Sequence, residues 1–320
     1  MEQLLEIKDL IVQYKTERAT VSALNGISLL IGKGESVGLV GETGAGKTTT
    51  ALSILRLLPR NATVLGGEIK FNGESIMDMK ESELMEKRGN KISMVFQNPL
   101  TALNPVFTVG EQIAMVLRRH RGMNSKEAMQ YAGKLLEQVG IAGYRVKDYP
   151  NQFSGGMRQR VGIASAIACN PELLIADEPT TALDVTIQAQ ILELMKELQV
   201  KYKTSLLMIT HNLGIVCELC QKVAVIYAGR IIEYGTIKSV FIAPQHPYTI
   251  GLLGALPALE GSRDRLISIP GKIADSQNLP SGCYFHPRCQ YCMKRCMEEQ
   301  PQMICLSDDH YVACHYRERV

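Results

Sequence analysis

One glycine-rich segment of this 320-residue chain carries residue types that together bind phosphate. The segment reads Gly41-Glu42-Thr43-Gly44-Ala45-Gly46-Lys47-Thr48. Glycines allow consecutive backbone N–H groups to curl around phosphate oxygens, because no Cβ stands in the way. Lys47 supplies a positive charge for the β and γ phosphates, and the hydroxyl of Thr48 is a ligand for Mg²⁺. The segment predicts a site for a nucleoside triphosphate with Mg²⁺.

The residues on either side of this loop have the patterns of a strand and a helix. The short apolar run 35–40 predicts a buried strand, and the run 49–58 predicts a helix. A helix that begins near Thr49 directs its partial positive charge at the bound anion. An ordinary glycine turn is the alternative interpretation, and the strand–loop–helix context disfavours it.

Further polar residues follow this loop, each at the boundary of a predicted element. Gln97 ends the strand pattern 91–97, and Ser154-Gly155-Gly156 opens a helical pattern. Asp177-Glu178 ends the apolar run 173–178, and His211 ends the apolar run 205–211. Ligands of a parallel sheet collect at the carboxyl ends of its strands. The sequence therefore places these side chains near the phosphates.

Each of these residues has a chemical role that suits its position. Asp177 is predicted to hold Mg²⁺ beside Thr48, and Glu178 to orient or deprotonate the attacking water. Gln97 could reach the metal or that water, and His211 could contact the γ-phosphate. Alone, each would be read as a surface amide, a solvated strand end or a structural histidine. Their order and spacing favour the nucleotide site.

Composition and hydropathy exclude several classes of protein. The chain is 46% hydrophobic and 21% charged, as in ordinary globular proteins, and its net charge of +3 gives no indication of a nucleic-acid partner. Glu2 and Glu6 interrupt any signal-peptide pattern. Prolines interrupt the longest uncharged run, 239–259, which is not apolar enough to span a bilayer. Any membrane association is expected to depend on a partner.

Taken together, these motifs make the chain resemble the ATP-binding cassette (ABC) family. The resemblance rests on the phosphate loop, Gln97, Asp177-Glu178, His211, the signature Phe153-Ser154-Gly155-Gly156-Met157 and the loop Ala182-Leu183-Asp184. It implies an α/β fold with a RecA-like P-loop NTPase core, an antiparallel β subdomain and an inserted helical subdomain. The nucleotide-binding domain is expected at 1–235, with the insertion at about 98–170.

The family also implies that ATP binds between two subunits. Ser154, Gly155 and Gly156 would form a second anion site at a helix N-terminus, closing on the nucleotide of the partner. Asp184 is expected to contribute to nucleotide binding as well. Tyr14 ends the amphipathic strand pattern 7–13, where the family places an aromatic residue that stacks on adenine. The alternative for Tyr14 is packing on the core.

The region after residue 235 is similar to the C-terminal extension of oligopeptide and dipeptide importer ATPases. It contains His246-Pro247-Tyr248-Thr249, Ile269-Pro270-Gly271, Phe285-His286-Pro287-Arg288-Cys289 and Val312-Ala313-Cys314-His315. The resemblance implies an ATPase that powers peptide uptake from the cytoplasmic face of the membrane. The implied partners are a second homologous ATPase, identical or not, two integral-membrane permease subunits and an extracytoplasmic substrate-binding protein.

Two other functions are alternatives to peptide import. A nickel, metal-chelate or other small-solute importer of the same subfamily is the nearer alternative. A soluble ABC ATPase of translation is disfavoured, because those proteins hold two cassettes and carry their cluster domain first. This chain has one cassette pattern, and six of its nine cysteines lie after residue 282.

The cysteines of the extension, 236–320, predict a metal centre. Cys283, Cys289, Cys296 and Cys314 supply the four thiolates of a [4Fe–4S] cluster, which the resemblance also implies. Zinc is the main alternative, although the extension lacks the two separate C-x₂-C knuckles that are typical of structural zinc. A further alternative is that these cysteines bind no metal and are either free or disulfide-bonded. Because Cys292 and Cys305 are also present, the ligand set is not unique. The predicted role is to staple a small lobe that has few large apolar residues.

Overall fold

The structure is a computed structural model that describes residues 2–17, 19–98, 102–181, 183–255, 269–307 and 309–317. The chain divides into two compact units. The first comprises Met1–Leu4, Ile31–Ser36 and Ser75–Ile209. The second comprises Leu5–Leu30, Val37–Glu74 and Thr210–Val320.

Strands and helices alternate through most of the chain. The strands are β1 (Gln3–Lys15), β2 (Thr20–Gly32), β3 (Ser36–Val40), β4 (Ala62–Phe71), β5 (Glu74–Ser75), β6 (Ile92–Val95), β7 (Leu173–Asp177), β8 (Ser205–Thr210), β9 (Lys222–Tyr227), β10 (Arg230–Thr236), β11 (Ile304–Ser307) and β12 (His310–Val312). The α-helices are α1 (Lys47–Ile54), α2 (Glu81–Lys87), α3 (Val109–Arg121), α4 (Ser125–Gln138), α5 (Gly155–Ile167), α6 (Val185–Tyr202), α7 (Leu213–Leu219), α8 (Ile237–Ile242), α9 (Pro247–Gly254) and α10 (Lys294–Glu298).

The first unit is built on parallel strands with helices between them. β6 pairs with β7, and β7 pairs with β8, all in parallel. Every residue of β7 and β8 is buried, as expected of strands covered on both faces. The helices α3, α4 and α5 follow β6 in the chain and precede β7.

Local capping explains where two of these helices begin. Thr108 and Glu111 form a reciprocal capping box at α3, and Asn124 and Glu127 form another at α4. Each pair satisfies two backbone N–H groups that the first helical turn leaves without partners. Gly122, in the left-handed region, ends α3.

The second unit contains two groups of paired strands. β2, β1, β4 and β5 follow one another in that order, with β1 and β4 antiparallel. The other group has the order β11-β12-β10-β9-β3. β3 and β9 are parallel, whereas β9, β10, β12 and β11 pair in an antiparallel manner. The strands of the C-terminal extension thus continue the sheet that leads into the phosphate loop.

The structure adjusts the predicted element boundaries. The predicted strands at 35–40, 173–178 and 205–211 are present within one residue at each end. The helix predicted at 49–58 occupies Lys47–Ile54 instead, because Arg56 adopts a left-handed φ of 49° and ends it. The predicted domain boundary near 235 and the insertion at about 98–170 stay predictions. Across the described residues, no helix is both long and apolar enough to cross a bilayer.

An aromatic cluster packs the extension onto β9. We use this name for Tyr227, His246, Tyr248 and Phe285. The Tyr227 and Tyr248 ring centroids lie 4.8 Å apart, and that of Phe285 lies 5.3 Å from Tyr227 and 5.5 Å from Tyr248. The His246 ring centroid lies 5.6 Å from that of Phe285. Tilted and edge-on pairs of this kind stabilise packing beyond the area they bury.

A buried carboxylate holds the start of α9 against this cluster. Glu233, on β10, is fully buried and accepts hydrogen bonds from the backbone N–H groups of Gln245 and His246 at 2.7 and 2.8 Å. Nε2 of His310 lies 2.8 Å from the same carboxylate. Nδ1 of His246 accepts the N–H of Tyr248 at 3.0 Å, which requires this nitrogen to be unprotonated.

We expect acidification to destabilise the protein partly through His246. Burial lowers the pKa of His246 from 6.5 to about 3. Between these two pKa values the unfolded state binds a proton that the folded state does not. The free energy of unfolding therefore decreases as the pH is lowered, by up to about 1.4 kcal/mol per pH unit. His246→Asn keeps an acceptor at the helix N-cap without the titration. Denaturant unfolding at pH 7 and 5 should show a smaller loss for the variant, and an equal loss in both proteins would contradict the assignment.

Candidate functional site

The phosphate loop follows a path that only glycine permits at two of its positions. It runs from the end of β3 to the start of α1. A Cβ on Gly41 would collide with the carbonyl oxygen of Ile226. Gly46 has a φ of +105°, and a Cβ there would lie 2.7 Å from the carbonyl oxygen of Ala23. The loop is therefore pressed against main-chain atoms, which fixes the direction of its own amides.

Lys47 lies over this loop in the described structure. Its side chain is mostly buried, and Nζ donates to the carbonyl oxygens of Gly41 at 2.7 Å and Glu42 at 3.1 Å. Thr48, next in sequence, is exposed. A cation held above a turn of backbone amides, with a hydroxyl beside it, can bind a polyphosphate and its metal ion.

The first turn of α1 completes the anion site of the second unit. Gly46 is the N-cap of this helix and has no side chain to cap the first N–H groups. Such a terminus favours bound anions. Tyr14 is half-buried, and its hydroxyl lies 3.1 Å from Oγ1 of Thr49. The structure thus brings Tyr14 beside the phosphate loop, and stacking of adenine on its ring stays a prediction.

The predicted magnesium ligand Asp177 and the predicted catalytic residue Glu178 lie at the end of β7, in the first unit. Asp177 is buried, whereas Glu178 is half-buried with a φ of 45°. Left-handed backbone in a residue other than glycine is costly and is common at functional sites. The N–H of Glu178 donates to the carbonyl of Ile209 at 2.8 Å, which fixes the peptide in this conformation.

The structure brings Gln97 and Glu178 together, although they are 81 residues apart. Nε2 of Gln97 donates to Oε2 of Glu178 at 3.0 Å. Oγ1 of Thr181 donates to the same oxygen at 2.9 Å. Sequence reasoning missed Thr181, whose only signal is its place three residues after Glu178 in a turn. These contacts define where the carboxylate points.

The signature and Asp184 lie at the N-termini of two neighbouring helices. Ser154 is the N-cap of α5, and its Oγ accepts the N–H of Met157 at 3.4 Å. Asp184 is the N-cap of α6, and its Oδ1 accepts the N–H of Ile187 at 3.0 Å. A Cβ on Gly156 would lie 2.6 Å from Cγ2 of Ile187, so the two helix starts are in close contact.

The side of these helix starts that faces solvent is accessible to a partner. Ser154, Gly155 and Asp184 are exposed, and Val185 is 81% exposed. Ala182 of the predicted loop lies outside the described residues. His211, the residue that follows β8 in the chain, belongs to the second unit and is also exposed.

The cysteines of the extension are all in the free thiol form. Among the described residues, no group of three or more cysteine, histidine, aspartate or glutamate side chains is arranged to hold a metal ion. The metal centre predicted from the sequence is therefore not formed in this structure. The exposed Sγ of Cys305 donates to the carbonyl oxygen of Ser307 at 3.3 Å.

Five of these thiols, Cys283, Cys289, Cys292, Cys296 and Cys314, nevertheless influence the pKa values of one another. Burial, with smaller contributions from Cys296, Cys314 and Cys289, raises the pKa of Cys283 to about 12. Burial likewise raises the pKa of Cys289 to about 11, with contributions from Cys314, Cys296 and Cys292. Thiols in this environment keep their protons, mainly because burial disfavours the charged thiolate and secondarily because neighbouring thiolates would repel one another.

Comparison with known proteins covers both parts of the chain. The profile of a family described as ABC transporter matches residues 24–181. A second profile, described as the C-terminal region of oligopeptide/dipeptide transporters, matches residues 232–296.

Curated relatives are similar to almost the whole chain. The oligopeptide transport ATP-binding protein AppD of Bacillus subtilis (strain 168) is 46% identical over 99% of this chain and 98% of its own length. OppD of the same organism is 49% identical over 97% of this chain and 88% of its own length. The dipeptide transport ATP-binding protein DppD of Lactococcus lactis is 47% identical over 97% of this chain and 90% of its own length.

Solved ATP-binding cassettes share the fold. The dimeric post-hydrolysis state of the cassette MJ0796, bound to ADP and phosphate, has a TM-score of 0.66 and 29% identity, covering 73% of this chain and 98% of that one. CbiO1 of Clostridium perfringens, part of an ABC transporter complex, has a TM-score of 0.64 and 27% identity, covering 79% of this chain and 96% of that one.

Two glycine substitutions test the contacts that shape the phosphate loop. Gly46→Ala should lower the free energy of unfolding by about 3 kcal/mol, because a left-handed φ and a main-chain clash act together. Gly44→Ala is the matched control, since its φ is +83° but nothing lies within 4 Å of the added Cβ. It should cost about 1 kcal/mol. Equal costs in denaturant unfolding would contradict the described packing.

Proposed function

The chain belongs to the ABC family of transport ATP-binding proteins, and we propose that it is the ATP-hydrolysing subunit of an importer of di- and oligopeptides. The observation that supports this proposal is the near full-length similarity to oligopeptide and dipeptide transport ATP-binding proteins. It extends over the cassette and over the C-terminal region typical of such transporters.

We propose that the phosphate loop binds ATP through its amides and Lys47. Nζ already lies on the carbonyls of Gly41 and Glu42, so it can reach over the loop toward the β and γ phosphates. Mg²⁺, held by Thr48, Asp177 and Gln97, would neutralise charge on the phosphate oxygens. The oxygen ligands offered by these residues suit a hard cation.

Glu178 is proposed to orient and deprotonate the attacking water. Its half-buried carboxylate accepts two hydrogen bonds at one oxygen, from Gln97 and Thr181, which fixes the direction of the other. A positioned base of this kind typically contributes about 10²–10⁴-fold to the rate. His211 is proposed to contact the γ-phosphate and to respond to its loss.

The exposed helix starts are proposed to complete the site of a second ATPase subunit. Ser154, Gly155 and Gly156 present backbone N–H groups at the start of α5, and Asp184 lies beside them at the start of α6. A helix N-terminus favours the anionic triphosphate. The similar cassette MJ0796 is dimeric in its post-hydrolysis state, which supports this assignment.

The proposed assembly contains further subunits. Two integral-membrane permeases would hold the ATPase pair at the cytoplasmic face of the membrane, and an extracytoplasmic binding protein would deliver the peptide. Uptake of labelled peptides and of nickel chelates by vesicles that contain the co-purified complex tests this function. ATP-dependent peptide uptake supports the proposal, and uptake of chelates alone would assign the subunit to a metal importer.

We also infer that the extension holds a [4Fe–4S] cluster through Cys283, Cys289, Cys296 and Cys314. The mutual influence of the thiols supports a site in this region, and it also includes Cys292, so the choice of these four ligands rests on the resemblance to the subfamily. Backbone N–H groups of Phe285, Tyr291, Tyr316 and Arg317 also favour charge on three of the sulfurs. Binding would require the thiols to lose their protons and move into coordination. Zinc is the alternative ligand for the same sulfurs.

Anaerobic purification tests the cluster. We expect a brown protein with iron and sulfide in near-equal amounts. Cys296→Ser should lose most of the iron, whereas Cys305→Ser, an exposed cysteine outside the set, should retain it. A colourless protein that contains zinc, or one without metal, would contradict the assignment.

Glu178→Gln tests the catalytic assignment. The amide cannot accept the proton of water, so we expect ATP binding to persist while phosphate release falls by about 10²-fold or more. ATP should also hold the variant in a closed dimer, visible by size-exclusion chromatography with whichever ATPase partner is used. Glu172→Gln, the same exchange in a surface pair with Lys91, should hydrolyse ATP normally. Near-normal hydrolysis by Glu178→Gln would remove Glu178 from this role.

A further inference from the structure

One residue of the phosphate loop is held by the C-terminal extension. Nη1 and Nη2 of Arg288 lie 2.8 and 3.2 Å from the two carboxylate oxygens of Glu42. The Arg288 side chain is 4% exposed and that of Glu42 is 24% exposed. A two-pronged pair between guanidinium and carboxylate fixes orientation as well as distance. Its burial also limits screening by solvent and salt.

The backbone of the same residue is held by a second side chain of the extension. The N–H of Glu42 donates to the hydroxyl oxygen of Tyr248 at 2.9 Å. Tyr248 is fully buried, within the aromatic cluster. The N–H of Glu42 is thus directed at the extension, and its side chain points the same way.

The third polar group of Glu42 faces the nucleotide-binding lysine. Its carbonyl oxygen accepts a hydrogen bond from Nζ of Lys47 at 3.1 Å, beside the 2.7 Å bond to Gly41. The N–H, the carboxylate and the carbonyl of Glu42 therefore join Tyr248, Arg288 and Lys47 through one residue. A shift of Glu42 would move an acceptor of the lysine directly.

Arg288 is itself held in place from several directions. Nε donates to the carbonyl oxygen of Pro270 at 3.0 Å, and Nη2 lies 3.4 Å from that of Ile269. The guanidinium carbon lies 5.8 Å from the ring centroids of both Tyr227 and Phe285. Because Arg288 makes this many contacts within the extension, its guanidinium group is fixed relative to the extension, and Glu42 must take the position that this group sets. Arg288 also directly precedes Cys289 of the proposed cluster set.

We propose that Arg288 and Tyr248 are positioning residues of the ATP site. They hold Glu42, and through its carbonyl Lys47, so that the phosphate loop keeps its ATP-binding shape while the extension is docked. The inference rests on the proposed function in one respect, namely that this loop binds ATP. By this inference, Arg288 and the segment His246-Pro247-Tyr248 of the extension contribute to nucleotide binding by the cassette.

A double-mutant cycle in the full-length protein tests the coupling. The variants are Arg288→Ala, Glu42→Gln and the double variant, with the Kd of a fluorescent ATP analogue and the steady-state kinetics as readouts. Each single change should weaken binding by about tenfold, within the range typical of coupled sites. The double variant should be little weaker than either single one. KM for ATP should rise, with kcat retained within about twofold, because only the shape of the loop changes.

Conservative variants separate positioning from folding. Tyr248→Phe removes the acceptor of the Glu42 N–H and keeps the ring, so it should weaken ATP binding while the aromatic cluster persists. Arg288→Lys keeps the charge without the fork and should restore part of the loss. Arg295→Ala, in an exposed pair with Glu299 of the same extension, is the matched control and should leave the Kd unchanged.

The outcomes distinguish this inference from the proposed function. Unchanged ATP binding in folded Arg288→Ala and Tyr248→Phe, or fully additive effects in the cycle, would overturn the inference and leave the ATPase function intact. If Arg288→Ala does not fold, Glu42→Gln and Tyr248→Phe each still remove one contact with a near-isosteric side chain and decide the question. Failure of the folded wild-type protein to bind ATP would overturn the proposed function instead.

Discussion

The close approach of main chain to main chain at the phosphate loop is the constraint on which the site depends. The carbonyl oxygens of Ala23 and Ile226 occupy the space that a Cβ at Gly46 or Gly41 would need. Because of these contacts the loop has one available path from β3 into α1, and it leads directly into the N-terminus of that helix. Lys47 then folds back onto the carbonyls of the same turn. The backbone path of the loop and the N-terminus of α1 thus form an anion site even without a charged side chain.

The neighbouring carboxylates at the end of β7 show how one strand supplies two different groups. Asp177 is still part of the buried strand, whereas Glu178 has left it through a left-handed peptide and is half-buried. The strained peptide turns the second carboxylate toward Gln97 and Thr181, which hold one of its oxygens. A regular strand would have sent these consecutive side chains to opposite faces of the sheet. The cost in backbone energy therefore determines where the candidate base points.

Much of this arrangement could be predicted from the sequence, and the failures have physical causes. The buried strands β3, β7 and β8 are continuous apolar runs, so their ends and the polar residues there were found directly. The early end of α1 was missed, since one left-handed residue, Arg56, stops a helix that its composition would continue. The bond between Gln97 and Glu178 followed only in outline from the order of strands. The ion pair between Arg288 and Glu42 could not be predicted from the sequence, because the two residues are 246 positions apart and no local pattern links them. The cysteine ligand set stays a prediction, because the number and spacing of the cysteines do not determine how closely the sulfurs approach one another, and the described residues contain no group arranged to hold a metal ion.

The pairing of β12 with β10 has a consequence for how this protein can be divided. Glu233, Tyr234 and Gly235 of β10 are opposite residues 310–312. A recombinant fragment that ends after the cassette would lack β12 and would leave β10 with unpaired backbone donors and acceptors along one edge. An unpaired edge strand of this kind can pair with strands of other chains, which leads to aggregation. Insolubility of a shortened fragment would then reflect an uncovered sheet margin rather than a defect in its nucleotide chemistry.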